Sequence, residues 1–375
     1  MKILSLLWGF SLGGIGKCVL TYNTLNDFDD LSLLTVCING GQWGSDVAPL
    51  HDISAEIIPI KGRTDFSWKK RCSEIIEDFS PDLLFVHGFN GPVIAKVLQF
   101  FSKRKLPFVC SYHGSYHPPS LSRIPLAPVF NRSAEYIYGK HAVGVVSVCE
   151  FSKRFLVAKG VPENKITVVH NGLPEKKPDV EKLDRGTFGL QDDDLVIGIA
   201  SRLDPVKGLS YLVAAFVAIA DSCPAAKLVV VGDGTCADDL KKQCQELKIA
   251  SRVYFAGYQD NVEAWLEIFD IFALPSLAEY HSIALLEGMR AGKAIVATDV
   301  GGNNESVRHE KEALIVPAKD SSAFARALSS LLVNPSLRET LGANAKKRFA
   351  ENFTEEIMLE NLAAWLKACA VKAGI

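Results

Sequence analysis

The sequence predicts an α/β protein built from two successive doubly wound parallel sheets facing each other across a deep cleft. Three observations carry this prediction. Short apolar, β-branched runs alternate with longer amphipathic ones from end to end, the pattern of parallel strands joined by crossover helices. A polar segment, LPEKKPDVEKLDRGTFGLQDDD at 173–194, interrupts that pattern with two prolines and no apolar period, as a linker does, and the same alternation restarts after it. The 375 residues also exceed what one hydrophobic core usually covers.

The first strand is KILSLLWG (2–9). Its apolar run behind Lys2 imitates a secretory leader, but it lacks a small-residue cleavage site and continues into a glycine loop, so a strand accounts for it better. Strands follow at LSLLTVCI (31–38), AEIIPI (55–60), DLLFVHG (82–88), PFVCSYHG (107–114), VGVVSVCE (143–150) and ITVVHNG (166–172), with helices between. The second half reads LVIGIASRL (195–203), KLVVVGDG (227–234), VYFAGY (253–258), IFALPSL (271–277), AIVATDVGG (294–302) and ALIVP (313–317), then helices from about Ser321 to Ala373. Open sheets of this kind bind ligands outside the carboxyl ends of their strands, so function is expected on the loops there.

The chain carries 41 basic against 43 acidic residues, 48% apolar and 22% charged, an ordinary globular balance that does not favour nucleic acid as a partner. Nine scattered cysteines lack CxxC or zinc-like spacing and read as reduced, mostly buried thiols of a cytoplasmic protein. The uncharged, apolar stretch 208–220 is too short to span a bilayer and has the length of a buried helix. The acidic runs 27–30 and 192–194 read as solvated, and no metal is assigned to them or elsewhere.

Several loops carry candidate chemistry. LGGIGKCVL places Gly13 and Gly14 between a strand and a helix, where backbone N–H groups can hold a phosphate; a merely tight turn is the plain alternative. SRLDPVKGL adds Arg202 and Lys207 on one strand-to-helix loop, two cations that suit a diphosphate or are simply solvated. His113 follows a buried strand and sits at the top of its sheet; His87 has the same placement and a weaker claim. In PSLAEYHSIALLEGMRAG (275–292), Glu279 lies in a turn and Glu287 on the helix after it. A fully helical eight-residue step would set their Cα atoms about 12 Å apart. That exceeds the roughly 5 to 10 Å of a glycosidase pair.

In order and spacing these pieces resemble the retaining glycosyltransferases of the large GT4 family, which have the two-Rossmann GT-B architecture. The resemblance rests on GGIG (13–16), His113-Gly114, Asn171-Gly172, SRLDPVKG (201–208), VGDG (231–234), AGY (256–258), the E-x7-E stretch (279–287) and VGGNNE (300–305), and runs through nearly the whole chain. It implies an N-terminal acceptor-binding domain over 1–175 and a C-terminal donor-binding domain over 176–354, with a last helix at about 355–375 packing back on the first. It implies that Arg202 and Lys207 bind the donor diphosphate, that Gly13 and Gly14 let backbone approach it, and that Glu287 binds the ribose. Glu279 and His113 would bind the sugar, the main chain near Gly257 and Tyr258 the base. The helix N-terminus over Ser282, Ile283, Ala284 and Leu285 would aim N–H groups at the sugar and phosphate.

The activity so implied is transfer of a sugar from a UDP- or GDP-linked donor to a glycan or lipid-linked acceptor with retained configuration, in surface polysaccharide, lipopolysaccharide or glycolipid synthesis. The two cations replace a metal, and no cofactor is expected. The departure is at Tyr280 and His281, where the family usually has a glycine after the glutamate; tyrosine there narrows or blocks the donor pocket. A nucleotide-sugar-binding subunit without turnover is the alternative. A nicotinamide oxidoreductase is disfavoured because the first loop lacks a full GxGxxG with its acidic partner. Lys69, Lys70 and Arg71 beside Trp68, and Phe100 to Lys105 after an apolar helix, admit peripheral contact with an anionic membrane at its inner face.

Overall fold

The computed structural model describes residues 1–9, 14–40, 53–60, 65–88, 91–101, 104–114, 136–175 and 182–375. The chain divides into two compact units, one of residues 1–171 with 355–375, the other of 172–354.

The first unit holds a parallel sheet of β1 (Lys2–Trp8), β2 (Ser32–Gly40), β3 (Ala55–Ile60), β4 (Leu83–His87), β5 (Phe108–Tyr112), β6 (Val145–Ser147) and β7 (Ile166–Val168), in the order β3-β2-β1-β4-β5-β6-β7. β4 and β5 are buried at every position, as near-continuous apolar runs covered on both faces should be. The terminal helix Glu355–Ala373 belongs to this unit and buries Leu362, Trp365, Leu366 and Cys369. Trp365 lies 6.0 Å from Phe85 of β4.

The second unit repeats the plan with β8 (Leu195–Ala200), β9 (Ala226–Val231), β10 (Val253–Gly257), β11 (Ile271–Leu274), β12 (Ala294–Thr298) and β13 (Ala313–Val316), in the order β10-β9-β8-β11-β12-β13. Its crossover helix Leu209–Ala220 is apolar nearly all round and buries Leu209, Leu212, Val213, Phe216 and Ile219 against the sheet. Strand order reverses between β1 and β4 in one sheet and between β8 and β11 in the other, the places where such sheets present ligand-binding loops.

Two expectations need correction. The segment 173–194 is not linker throughout, because its apolar residues find a core. Leu183, Phe188 and Leu190 pack into the second unit, with the Phe188 ring 4.7 Å from Trp265 and 5.2 Å from Tyr254. A 3₁₀ turn at Arg185–Phe188 is started by Asp184, whose carboxylate accepts from the Gly186 N–H at 2.9 Å. The acidic run 192–194 is likewise not all solvated: Asp194 is buried, accepts from the Gln191 N–H at 2.8 Å and lies 3.9 Å from the Lys227 ammonium.

All nine cysteines are free thiols, seven of them buried and Cys223 and Cys236 half-buried. Among the described residues no helix is long and apolar enough to cross a membrane.

Candidate functional site

At the switch point of the second sheet, the loop after β8 and the loop after β11 are fastened to each other. The Leu277 N–H donates to the Val206 carbonyl at 2.7 Å. Gly208 has φ +64, and a Cβ there would stand 2.3 Å from the Pro275 carbonyl oxygen, so only glycine allows this approach. The result brings Lys207 to Glu279: the ammonium donates to Oε1 at 2.6 Å, with the two side chains 15% and 10% exposed.

Glu279 is held from other sides as well. Ser276 Oγ donates to the same Oε1 at 2.7 Å, and the Ser276 carbonyl in turn accepts from Thr298 Oγ1 at 2.6 Å. Beneath its main chain lies Gly301, at φ +56, where a Cβ would meet the Glu279 carbonyl oxygen at 1.6 Å. A carboxylate so fixed is preorganised: it costs little entropy to use it again on a ligand.

Arg202 is placed differently from Lys207. Its guanidinium meets the Asp204 carboxylate at 2.6 Å and is 67% exposed. The loop therefore carries one anchored cation and one at the surface, not two equivalent ones.

Helix Ile283–Arg290 opens on Ser282, whose Oγ accepts from the Leu285 N–H at 3.4 Å. The Leu285 N–H is thus occupied by the cap, while those of Ile283 and Ala284 belong to the first turn that a helix leaves without internal acceptors. Because Glu279 precedes this helix, the separation of about 12 Å for a continuous helix does not describe the Glu279 to Glu287 step. Glu287 is buried on the helix. Tyr280 is half-buried and its φ is not left-handed; among the described non-glycine residues only Ser80, Lys248, Glu310 and Lys319 have positive φ. Tyrosine therefore brings no backbone strain to this turn. His281 is buried, with its ring 5.4 Å from Phe353 and Nε2 3.3 Å from Ser306 Oγ. The Gly257 carbonyl accepts from the Gly232 N–H at 2.7 Å, and Tyr258 beside it is 59% exposed.

In the first unit, Gly14 begins the helix Gly14–Tyr22 after β1, and Gly13 lies outside the described residues. His113 follows β5, half-buried, with Nε2 3.0 Å from Ser111 Oγ. Burial pushes its imidazolium down to about 4. His87 is buried at the end of β4 with Nδ1 on Ser111 Oγ at 2.8 Å and Nε2 on Ser5 Oγ at 2.9 Å; burial, then the neighbouring His113, push it well below the usual imidazole range. Both rings are neutral at neutral pH. Among the described residues no three His, Cys, Asp or Glu side chains cluster as metal ligands would.

Sequence reasoning missed Ser276, Thr298, Ser5 and Ser111. For the last two a signal existed: a serine inside a buried apolar strand, as in KILSLLW and FVCSY, needs a polar partner.

Family models match both parts of the chain: Glycosyltransferase Family 4 over residues 42–177 and Glycosyl transferases group 1 over 180–348. The chain is similar to an uncharacterized glycosyltransferase of Methanocaldococcus jannaschii, 31% identical over 232 residues, 57% of this chain and 59% of the relative. It is also similar to the UDP-Gal:alpha-D-GlcNAc-diphosphoundecaprenol alpha-1,3-galactosyltransferase of Escherichia coli, 30% identical over 171 residues, 44% of each chain. The chain thus spans about half the length of these two curated relatives. Among solved structures, Anabaena HepE in complex with UDP-glucose superposes with a TM-score of 0.83 at 21% identity, over 98% of this chain and all of that one, so the two share the GT-B fold.

Proposed function

The chain belongs to the GT4-type glycosyltransferases, and on that premise we propose that it moves a sugar from a UDP- or GDP-linked donor to a hydroxyl acceptor with retained configuration. The observation that carries this reading is the Lys207–Glu279–Ser276 group at the switch point of the second sheet. In transfer, the bond from the anomeric carbon to the β-phosphate oxygen breaks and one to the acceptor oxygen forms, while the acceptor's proton passes to the departing phosphate oxygen. Negative charge grows on the departing diphosphate. An ammonium fixed beside it lowers the barrier because the charge it meets is larger in the transition state than in the ground state.

Lys207 is paired with Glu279. A donor diphosphate takes over part of the ammonium, which turns Glu279 Oε1 towards a sugar hydroxyl while Ser276 still holds it. Arg202, exposed and paired with Asp204 on its own loop, reaches for the outer phosphate oxygens. Glu287 takes the ribose, the Ile283 and Ala284 N–H groups a phosphate or sugar oxygen, and the main chain at Gly257 and Tyr258 the base. Tyr280 shapes the sugar subsite. His113, in the first unit, hydrogen-bonds a sugar hydroxyl. This chemistry uses no metal, so EDTA should leave it intact. The acceptor is a glycan or a lipid-linked glycan, in keeping with the diphosphoundecaprenol acceptor named for the Escherichia coli relative.

Thermal shifts with UDP, GDP, ADP and their sugars test the donor class. One base should raise the melting temperature through mass action. No shift with any of them rejects the reading.

A peripheral membrane contact is supported by one surface of the first unit. Phe66, Phe100 and Phe101 are 60%, 78% and 54% exposed, and the Lys69 ammonium lies 4.2 Å from the ring centres of both Phe66 and Phe101. Lys70 and Lys105 stand exposed nearby in sequence, whereas Arg71 is neutralised by Glu56 at 2.7 Å and Glu74 at 3.4 Å, and Lys103 lies outside the described residues. Exposed aromatics with cations suit an anionic lipid surface. Flotation with anionic but not neutral vesicles, abolished in Phe100→Ser/Phe101→Ser, is the expected result; equal recovery with both vesicle types contradicts it.

A further inference from the structure

We infer that Ser5, His87 and Ser111 form a positioning chain that fixes the tautomer of His113 and presents its Nδ1–H as a hydrogen-bond donor. Its role in sugar transfer rests on the function proposed above; its existence in the free protein does not.

The geometry is a single line of contacts within the first unit: Ser5 Oγ to His87 Nε2 at 2.9 Å, His87 Nδ1 to Ser111 Oγ at 2.8 Å, and Ser111 Oγ to His113 Nε2 at 3.0 Å. Ser5, His87 and Ser111 are buried, on β1, β4 and β5. The chain therefore starts in the core of the sheet and ends at the half-buried ring after β5.

Proton counting decides its direction. Each neutral imidazole has one N–H, and each hydroxyl has one O–H. With every bond made, three arrangements exist; one has both imidazoles donating to Ser111 Oγ, which leaves the buried Ser111 hydroxyl proton without an acceptor among the described residues, so two remain. In one, His113 Nε2–H donates to Ser111, Ser111 donates to His87 Nδ1, and His87 Nε2–H donates to Ser5. That leaves the Ser5 hydroxyl proton buried with no acceptor among the described residues. In the other, Ser5 donates to His87 Nε2, His87 Nδ1–H donates to Ser111, and Ser111 donates to His113 Nε2. Every buried donor is then used, and the remaining N–H, on His113 Nδ1, points out of the chain. A buried donor without an acceptor is costly, whereas a hydroxyl oxygen with a spare lone pair is tolerated, so the second arrangement wins.

Without Ser111 the His113 ring is free to exchange tautomers, and its Nε2-protonated form would offer an acceptor at Nδ1 where a donor is needed. Ser111 and His87 are thus positioning residues: neither has to touch the substrate.

The test is ¹⁵N NMR of histidine-labelled full-length protein without ligand, with His113 assigned by loss of its signals in His113→Gln. The expected result is a single His113 tautomer, protonated on Nδ1, and a His87 also protonated on Nδ1. Ser111→Ala should turn the His113 pattern into a tautomer average, and Ser111→Thr should restore it. In turnover assays Ser111→Ala should lower kcat/KM about fivefold, the worth of one neutral hydrogen bond, with Thr recovering most of the loss. An Nε2-protonated or cationic His113 at pH 7.5, or a pattern unmoved by Ser111→Ala, overturns the inference whatever the activity. The NMR result with unchanged kcat/KM in Ser111→Ala would keep the chain but remove its part in transfer.

Discussion

At the scale of single residues, the central feature is that Glu279 is held in place by its own chain. Lys207 and Ser276 share one of its oxygens, and Gly301 supports its carbonyl. Removal of the carboxylate should therefore act on every donor: Glu279→Ala is expected to reduce turnover with each sugar tested. Tyr280 is different, since it adds shape rather than charge. Tyr280→Gly should broaden or shift the donor-sugar profile while UDP or GDP affinity stays within about twofold, a fraction of a hydrogen bond. An unchanged profile would show that the ring forms no wall of the subsite. That Lys207 and Glu279 lie on the loops after β8 and β11 was legible in the sequence. Their partners Ser276 and Thr298 were not, because a hydroxyl gives no sign in sequence of which carbonyl or carboxylate it will meet across two loops. The inequality of Arg202 and Lys207 was hidden for the same reason: Asp204 and Glu279 select one cation each, and only one of those acids lies on the same loop.

At the scale of elements, all thirteen strands expected from apolar runs are present, and what differs is where they stop. The runs 271–277, 294–302 and 107–114 end as strands at Leu274, Thr298 and Tyr112. The residues beyond are Pro275 to Leu277, Asp299 to Gly302 and His113 to Gly114. In the second unit they bend where loops pack on each other, Leu277 on Val206 and Gly301 on Glu279, a tertiary effect that periodicity does not carry. The helix Ile283–Arg290 shows the converse: its start falls within the helix N-terminus expected over 282–285, with Ser282 as its cap. These loop contacts predict a sharp sensitivity. Gly301→Ala adds a Cβ at 1.6 Å from the Glu279 oxygen, at a φ of +56 that alanine disfavours. It should destabilise the protein by about 2 to 4 kcal/mol. Urea unfolding measures this directly, and a loss below about 0.5 kcal/mol, the range of surface substitutions, would mean that the loop relaxes freely.

At the scale of the whole molecule, burial sets the ionisation and reactivity of several thiols and imidazoles. Cys18, Cys37 and Cys72 are each pushed up to about 12 by desolvation, so native protein should resist a thiol reagent there while Cys223 and Cys236 react first. Peptide mapping after brief alkylation reads the order. The buried imidazoles give a pH dependence of defined sign. His87 and His113 ionise lower in the folded chain than the 6.5 or so of an unfolded one, so the unfolded state binds more protons below that value. Their contribution is complete above about pH 7 and is lost as pH falls through 6.5, levelling for His113 near its folded value of about 4. The urea midpoint should therefore drop between pH 7.5 and 5, and His113→Gln should flatten that drop; an equal slope in the variant would contradict the assignment. The most direct test of the account as a whole is the rate of nucleoside diphosphate release by the wild type and Lys207→Ala on a panel of UDP- and GDP-sugars. The wild type should turn over one donor class, with EDTA present, and Lys207→Ala should lower kcat by a factor corresponding to about 2 to 4 kcal/mol of barrier. Release from no donor, or equal rates in the two proteins, would contradict it.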